Sequence, residues 1–204
     1  MLIEHNSNRD SWKVDRDMMH LPMHATLPDG RHITIDTITD GQISDMYSLI
    51  VAAAVNGHGF GVDEYPTEKD FRKEVDGYPS FVLCGKECGK MIGAFSLIDS
   101  KFYRGTENKL VDPIIIVKKS ERGKGIGDFI FRQVVLFSKR LGFTGIYTDT
   151  FSNNHAMMKI IERCPGFQRV GHFPLGGKMP DGTLVGANLY FKDLRNISED
   201  NTLG

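Results

Sequence analysis

Three glycines at alternating positions carry the clearest chemical signal in this sequence. Gly123, Gly125 and Gly127 alternate with Lys124 and Ile126, directly after Arg122 and ahead of a helical pattern. A glycine has no Cβ, so its backbone can approach a ligand closely. The first turn of a helix leaves about four N–H groups unpaired. A turn of this kind between a strand and a helix predicts a phosphate or pyrophosphate site.

Two familiar phosphate-binding motifs do not fit this segment. The Walker A loop requires Gly-x-x-x-x-Gly-Lys-Ser/Thr, which the sequence lacks, and the dinucleotide fingerprint requires Gly-x-Gly-x-x-Gly rather than Gly-x-Gly-x-Gly. A tight strand-to-helix turn with solvated charges is the alternative interpretation.

Length and composition are those of an ordinary single domain. The chain has 204 residues, is 40% hydrophobic and carries a formal net charge of -1, so nothing attracts it globally to nucleic acid or to an anionic membrane. No apolar run approaches a membrane span, and the polar N-terminus has no signal-peptide core. We therefore expect neither a nucleic-acid nor a membrane partner, and a cytoplasmic location that could extend to the nucleus.

The three cysteines do not form a recognisable metal or disulfide framework. Cys84, Cys88 and Cys164 are odd in number, and neither a second cysteine pair nor a His-x-x-x-His segment completes a zinc site. We expect free thiols and no metal, with a Cys84–Cys88 link as the alternative.

The apolar periodicity predicts the element order β-β-α-α-β-β-β-α-β-α-β-β, an α/β sheet of mixed strand direction. Thr67 is a candidate helix cap, as are Ser152, Asn153 and Asn154 for a later helix. Pro113 lies within a predicted strand and implies a bulge or an edge. We expect a poorly ordered arm over residues 1–22, one domain over 23–194 and a flexible tail over 195–204.

The segment from Arg122 to Gly127 resembles the acetyl-CoA pyrophosphate loop of the GNAT superfamily of N-acetyltransferases. That family's pattern, Gln/Arg-x-x-Gly-x-Gly/Ala, is matched by Arg122, Gly125 and Gly127. The flanking strand, the next helix and strand, the Asn-bearing helix and a strand at Gly166-Phe167 follow in the family's order, so the resemblance covers about residues 24–194. It implies a mixed, mostly antiparallel central sheet with a splayed strand pair, flanked by helices.

The resemblance also implies which residues bind acetyl-CoA as a co-substrate. The loop amides would bind the pyrophosphate, with Asp128 at the edge. The preceding strand would pair with the pantetheine arm, and an asparagine at the next helix would contact that arm, Asn154 being preferred over Asn153. The implied set is Ile116, Val117, Lys118, Arg122, Gly123, Lys124, Gly125, Ile126, Gly127, Asn153 and Asn154.

The acceptor site is implied to border the loop between the first two helices. Asp63 and Glu64 are candidates for binding a cationic amine or taking its proton, so both are catalytic and substrate-binding candidates. Phe60 is a further substrate-binding candidate, and His58 and Tyr65 lie in the same loop. Asp112 is another candidate base. Each of these loop residues could instead be merely solvated.

One position departs from the family's pattern. Many members carry a tyrosine six to seven residues after the asparagine, where it protonates the departing thiolate, whereas this chain has Ile160 and Ile161. Neither isoleucine can donate a proton. Tyr147, His155 and Cys164 are the nearby alternatives.

The resulting hypothesis is an N-acetyltransferase that moves acetyl from acetyl-CoA to an amine, by direct attack and without a covalent enzyme intermediate. A small-molecule acceptor is favoured because no separate recognition module is evident, and the ending "GFQRVGHFP…LYFKDL" resembles fungal acetyltransferases acting on proline analogues. The alternatives are a protein lysine or N-terminal acetyltransferase, a non-catalytic CoA-binding module, and a nucleotide- or phosphate-binding protein of another class. We expect a monomer or a homodimer.

Overall fold

The computed structural model describes residues 14–87, 89–105 and 109–197. Cys88, on which the alternative disulfide depends, lies outside these residues, as do 1–13 and 198–204 of the expected arm and tail.

The described strands form one eight-stranded sheet in the order β1-β2-β3-β4-β5-β6-β8-β7. Neighbouring strands are antiparallel except β5 and β6, which are parallel. This confirms the predicted mixed, mostly antiparallel sheet. The strands are β1 Met23–Thr26, β2 His32–Thr37, β3 Ser80–Gly85, β4 Met91–Asp99, β5 Leu110–Val117, β6 Gly145–Phe151, β7 Gln168–Lys178 and β8 Leu184–Asp193.

Four described helices flank the sheet: α1 Asp40–Val55, α2 Glu68–Val75, α3 Ile126–Arg140 and α4 His155–Arg163. Thr39 and Thr67 start α1 and α2 with capping boxes, in which the threonine hydroxyl accepts from a backbone N–H three residues on. Asn154 caps α4. Among the helices described, none combines the length and apolar character that crossing a bilayer requires.

The two faces of the sheet pack against different helices. Alternate side chains of a strand point to opposite faces, so Phe95 of β4 joins α3 in one core cluster while Ala94 joins α1 and α2 in the other. Ile114 and Ile116 of β5 also lie on the α1–α2 face. This face carries the side chains that matter below.

Residues 14–22 are packed, in contrast to the poorly ordered arm expected from their polar composition. Met19 is fully buried in the α3-side core and Val14 packs against it. Arg16 forms an ion pair with Asp36 of β2 at 2.7 Å. A few buried apolar side chains suffice to fix a short polar segment on the surface of a domain.

The sheet opens between β5 and β6. In the described chain these strands pair at two positions, Leu110 with Gly145 and Val111 with Ile146, and then diverge. Pro113 lies just beyond the last pair, in an unshifted register with β4 opposite Leu97. It therefore marks an open edge rather than a bulge, since a proline has no N–H to donate to a neighbouring strand.

Candidate active site

A large open cavity lies where β5 and β6 part. Its volume is about 1480 Å³, above the roughly 300–1,000 Å³ of a typical site for one small ligand. It is lined by the loop after α1, by β5 and β6, by the segment leading into α3 and by the start of α4. The cavity is therefore large enough for two ligands side by side.

The glycine turn at one end of the cavity has the backbone geometry that the sequence predicts. Gly123 and Gly125 both have φ of 77°, a left-handed conformation that favours glycine. Gly125 is the N-cap of α3, so the first N–H groups of that helix lie beside the cavity. A Cβ added to Gly123 would meet nothing within 4 Å, whereas one added to Gly125 would lie 3.2 Å from Pro28. Gly123 thus presents bare backbone toward open space, and Gly125 is also needed for packing.

Arg122 anchors this turn to the end of β5. Its Nε donates to the carbonyl oxygen of Val117 at 3.1 Å. Partial burial lowers the pKa of Arg122, yet a guanidinium stays charged in proteins. Lys119, Lys159 and Arg163 also line this end of the cavity. The end that holds the glycine turn is therefore basic.

The strand register determines which β5 amides face the gap. The Leu97 N–H donates to Pro79, away from β5, so Leu97 and Pro113 form a non-hydrogen-bonded pair. By alternation, the N–H groups of Ile115 and Val117 point into the gap.

The same register turns the N–H groups of the other two residues predicted to pair with the ligand arm, Ile116 and Lys118, away from the gap. The N–H of Ile116 points toward β4, and that of Lys118 donates to Ile92 of β4 at 2.9 Å. The predicted pairing of a ligand arm with β5 therefore suits Val117 but not Lys118, and Ile116 contributes its side chain to the cavity lining.

The two asparagines before α4 both line the cavity but have different local roles. The Oδ1 of Asn154 accepts from the N–H of Met157 at 3.2 Å, whereas the Nδ2 of Asn153 lies 3.6 Å from the Sδ of Met179. A Cβ on Gly59 would lie 3.0 Å from the Nδ2 of Asn154. The loop after α1 therefore crosses the gap and contacts the start of α4.

The other residues predicted to bind the cofactor lie at the basic end of the cavity. The side chains of two of them, Lys124 and Ile126, do not face the cavity. Gly127 lines the cavity. The Lys124 ammonium pairs with Glu121 at 3.1 Å, and the Ile126 side chain is 1% exposed in the core. Lys124 and Ile126 can therefore contribute their backbone N–H groups at the helix start rather than their side chains.

The opposite end of the cavity is acidic. Glu64, Asp112 and Asp149 line it from the loop after α1, from β5 and from β6. Burial is the first cause that raises the pKa of Asp112 to about 8, and the charge of Asp149 adds to it while Lys101 opposes it. Burial likewise raises the pKa of Asp149. Asp112 lies next to the last β5–β6 pair, at the point where the gap begins.

Glu64 has a raised pKa and is accessible from the cavity, the two properties expected of a group that binds a ligand or exchanges protons with it. The surrounding protein raises its pKa to about 7, an effect opposed by the Gly61 N–H, which donates to its carboxylate at 2.9 Å. Its surface remains exposed to the cavity. Cavity water can still solvate the carboxylate, which limits the rise in pKa, and a cation bound beside it would lower the pKa again.

Asp63 and the aromatic residues of the same loop are placed differently from Glu64. The Asp63 carboxylate pairs with the Lys178 ammonium at 3.3 Å, and the Val62 N–H donates to the Lys178 carbonyl at 3.1 Å. Asp63 thus ties the loop to the end of β7. Phe60 and Tyr65 line the cavity as predicted, and so does His58.

The structure separates the candidate proton donors for the thiolate. His155 and Ile160 line the cavity, whereas Cys164 is 5% exposed in the core and burial raises the pKa of its thiol. Tyr147 lies in a row of aromatic rings, 4.7 Å from Phe191. Of the three candidates, His155 is the one beside the cavity.

Sequence reasoning missed three charged residues of the acidic end: Glu74, Lys101 and Asp149. The Lys101 ammonium contacts Glu74 at 2.6 Å. Each residue belongs to a different element, so no spacing in the sequence connects them. The sequence signal for Asp149 is weak: it is the one charged residue of the strand Gly145–Phe151.

Comparison with known proteins adds independent evidence. A Sinorhizobium meliloti phosphinothricin acetyltransferase, solved in complex with AcCoA, has a TM-score of 0.67 with 21% identity, over 79% of this chain and 88% of that one. A GCN5-related N-acetyltransferase from Kribbella flavida has the same TM-score with 17% identity, over 79% of this chain and 98% of that one. At these identities the likeness establishes a shared fold.

Sequence comparison identifies curated relatives over parts of their length. Protein SPT10 of Saccharomyces cerevisiae is 27% identical over 166 residues, which are 78% of this chain and 25% of SPT10. YwnH of Bacillus subtilis is 26% identical over 102 residues, 48% of this chain and 62% of YwnH. The chain therefore spans less than two thirds of either relative. The profile of the acetyltransferase (GNAT) family matches residues 43–167, more than half of the chain, and the chain belongs to that family.

Proposed function

We propose that the protein transfers an acetyl group from acetyl-CoA to the amine of a small molecule, by direct attack and without a covalent enzyme intermediate. The observation that carries the proposal is the single cavity with a basic end at the glycine turn and an acidic end at Asp112. Two ligands of opposite charge would lie next to each other there, which raises their effective concentration.

The basic end fits the pyrophosphate of acetyl-CoA. The helix start at Gly125 offers unpaired N–H groups and the positive end of a helix dipole. Arg122 adds a guanidinium suited to phosphate oxygens. The gap-facing N–H of Val117, next to the glycine turn, would pair with the amide-bearing arm, and Asn154 stands across the gap from it. The bound co-substrate supplies an activated acyl thioester.

At the acidic end we assign the role of general base to Asp112. An ammonium must lose its proton before the nitrogen can attack, and a base works best with a pKa near the working pH. The raised pKa of Asp112, about 8, meets that condition. Glu64, with a pKa of about 7, would bind positive charge of the amine substrate. Asp63 has a structural role instead, because its carboxylate is paired with Lys178.

Two further groups would complete the transfer. The Ile115 N–H would donate to the oxyanion that develops on the acyl carbon, because it points into the gap and is the gap-facing amide nearer to Asp112. His155, at the first position of α4, would return a proton to the thiolate in place of the absent tyrosine.

The proposal is tested by ligand-dependent melting followed by a turnover assay. Acetyl-CoA should raise the melting temperature, because a ligand that binds only the folded state stabilises it; ATP and NAD should not. Thiol release from acetyl-CoA with a panel of amines should then exceed the rate without amine. Stabilisation by acetyl-CoA without turnover on any amine would favour a non-catalytic CoA-binding module, and failure of acetyl-CoA to stabilise the protein would refute the donor site.

A further inference from the structure

The acidic end of the cavity holds more carboxyl groups than the described residues pair with basic side chains. Glu64, Glu74, Asp112 and Asp149 all line it, against one lysine, Lys101. The Lys101 ammonium is bound to Glu74 at 2.6 Å, and 77% of its side chain is exposed. Within the described parts of the chain, neither Asp112 nor Asp149 has a basic side chain within ion-pair distance.

The fold holds these carboxyl groups in place, because they project from fixed elements. Asp112 belongs to β5 and shares the face of Ile114 and Ile116, which α1 and α2 cover. Asp149 belongs to β6, across the gap. Like charges held close together in partly dehydrated surroundings repel one another, and a cation placed among them relieves the repulsion.

One carboxylate is enough for the chemistry. The reacting nitrogen must be neutral when it attacks, so after Asp112 has taken its proton that end of the ligand no longer carries positive charge. Glu64 and Asp149 then still face the cavity without a cation. A ligand that satisfied them would need positive charge away from the reacting nitrogen.

We infer that the acceptor is a small amine with a second cationic group and no carboxylate, that is, a diamine or a polyamine. This inference rests on the proposed function, and it narrows the acceptor to one chemical class. Asp149 and Glu64 would bind the ammonium that does not react. An amino acid such as phosphinothricin, with a carboxylate and a phosphinate, would instead place anionic groups against these carboxylates, and like-charge contacts of this kind cost several kcal/mol.

The test is a comparison of kcat/KM for thiol release with three acceptors: 1,4-diaminobutane, 1-aminobutane and phosphinothricin. The first two have the same chain length and differ in the second ammonium. A charge-assisted hydrogen bond contributes about 1.5–3 kcal/mol, so we expect 1,4-diaminobutane to be favoured about tenfold or more, beyond the twofold that its two equivalent amines supply. Phosphinothricin should be the poorest of the three.

The outcomes separate this inference from the proposed function. Equal kcat/KM for 1,4-diaminobutane and 1-aminobutane would overturn the inference and leave the acetyltransferase activity standing, as would a preference for phosphinothricin. Absence of turnover with every amine, despite acetyl-CoA binding, would overturn the proposed function itself.

Two variants then locate the second ammonium. Asp149→Asn should reduce the preference for the diamine over the monoamine about tenfold, with acetyl-CoA affinity measured by calorimetry as the control for the donor site. Asp45→Asn removes the same charge from the exposed face of α1, outside the cavity lining, and should leave the preference within about twofold. If Asp149→Asn does not fold, Glu64→Gln should produce the same fall, because glutamine can keep the hydrogen bond from Gly61. An unchanged preference in the folded variants would contradict the assignment.

Discussion

The two ends of the cleft are built on different principles. The basic end is centred on consecutive residues, from Arg122 to Asp128, and its binding groups are mainly backbone N–H groups fixed by glycine dihedrals and by the start of α3. The acidic end is assembled from side chains of four separate elements, among them Glu64, Asp112 and Asp149.

This difference explains how specific each end can be. Backbone amides at a helix start recognise a phosphate whatever the neighbouring side chains are, so one short motif can define a common donor. Side chains from separate elements can change one at a time without altering the backbone, so the acceptor site can vary while the fold is kept. Substitutions at one end of the cavity should therefore affect the binding or the reaction of one ligand more than that of the other.

The largest effect is expected from Asp112→Asn. Loss of a general base typically reduces the rate by about 10²- to 10⁴-fold, and asparagine keeps the size of the side chain. We predict that kcat for thiol release falls by that factor while acetyl-CoA binding, measured by calorimetry, changes less than about threefold. Glu64→Gln is the matched comparison and should cost less. A larger loss in Glu64→Gln than in Asp112→Asn would exchange the two roles.

The next largest effect is expected at Gly123 and should appear at the basic end. Gly123 has φ of 77° and open space around its missing Cβ, and asparagine and aspartate tolerate that conformation better than most residues. Gly123→Asp adds a negative charge beside the pyrophosphate site and should weaken acetyl-CoA binding about 100-fold or more, since like-charge contacts cost several kcal/mol. Gly123→Asn is the uncharged control. Equal affinities of the two variants would place the pyrophosphate elsewhere.

A moderate effect is expected where the two ends meet, at Gly59. Gly59 has φ of 84°, and a Cβ there would lie 3.0 Å from Asn154. Gly59→Ala should therefore lower stability by about 1–2 kcal/mol and raise both the KM for the amine and the Kd for acetyl-CoA. Gly61→Ala, whose Cβ would make ordinary contacts at 3.7 Å or more, should have a smaller effect on both constants. If only one constant changes in Gly59→Ala, the loop does not couple the two ends.

A smaller effect concerns stability and pH. Folded Asp112 keeps its proton to about pH 8, whereas the unfolded group has a pKa of 3.8. The folded state therefore binds more protons in that window, and the unfolding free energy falls as pH rises from about 4 to 8. Lys101 opposes this effect, and Asp149, Glu64 and Glu74 strengthen it.

Asp112→Asn removes that penalty. At pH 9 its melting temperature should exceed that of the wild type by about 2–4 °C for each kcal/mol gained, and at pH 4 the difference should disappear. An equal or lower melting temperature of Asp112→Asn at pH 9 would mean that burial and the neighbouring carboxylates do not destabilise ionised Asp112.

The smallest effect is expected from Asp63→Asn. Its ion pair with Lys178 is exposed on both sides, with 62% and 47% of the side chains accessible, and such pairs contribute about 0–1 kcal/mol. We predict a change in kcat below about threefold. A loss of 100-fold or more would restore Asp63 as a catalytic residue.

How much the sequence could predict depends on whether a feature is local. The glycine turn, the Thr67 cap and the order of strands and helices along the chain follow from neighbouring residues, and the sequence predicts all three. The amides of β5 that face the gap depend on the register with β4, which a sequence pattern of four apolar residues leaves undefined. Ile116 and Lys118 were therefore assigned to the ligand arm although their N–H groups point toward β4.

Asp149 and Lys101 illustrate the same limit at the acidic end. Neither stands out clearly among its sequence neighbours: Lys101 contacts Glu74, 27 positions away, and Asp149 faces Asp112, 37 positions away. The segment 14–22 differs from its expected disorder for the opposite reason, because its polar composition concealed two side chains, Met19 and Leu21, that are buried in the core.

The proposed mechanism requires that one cavity holds donor and acceptor together. The most direct measurement is the initial rate of thiol release, varied over a matrix of acetyl-CoA and 1,4-diaminobutane concentrations. Direct attack in a ternary complex predicts double-reciprocal lines that intersect. Parallel lines, the signature of a covalent acetyl-enzyme and a ping-pong mechanism, would contradict direct attack in a ternary complex.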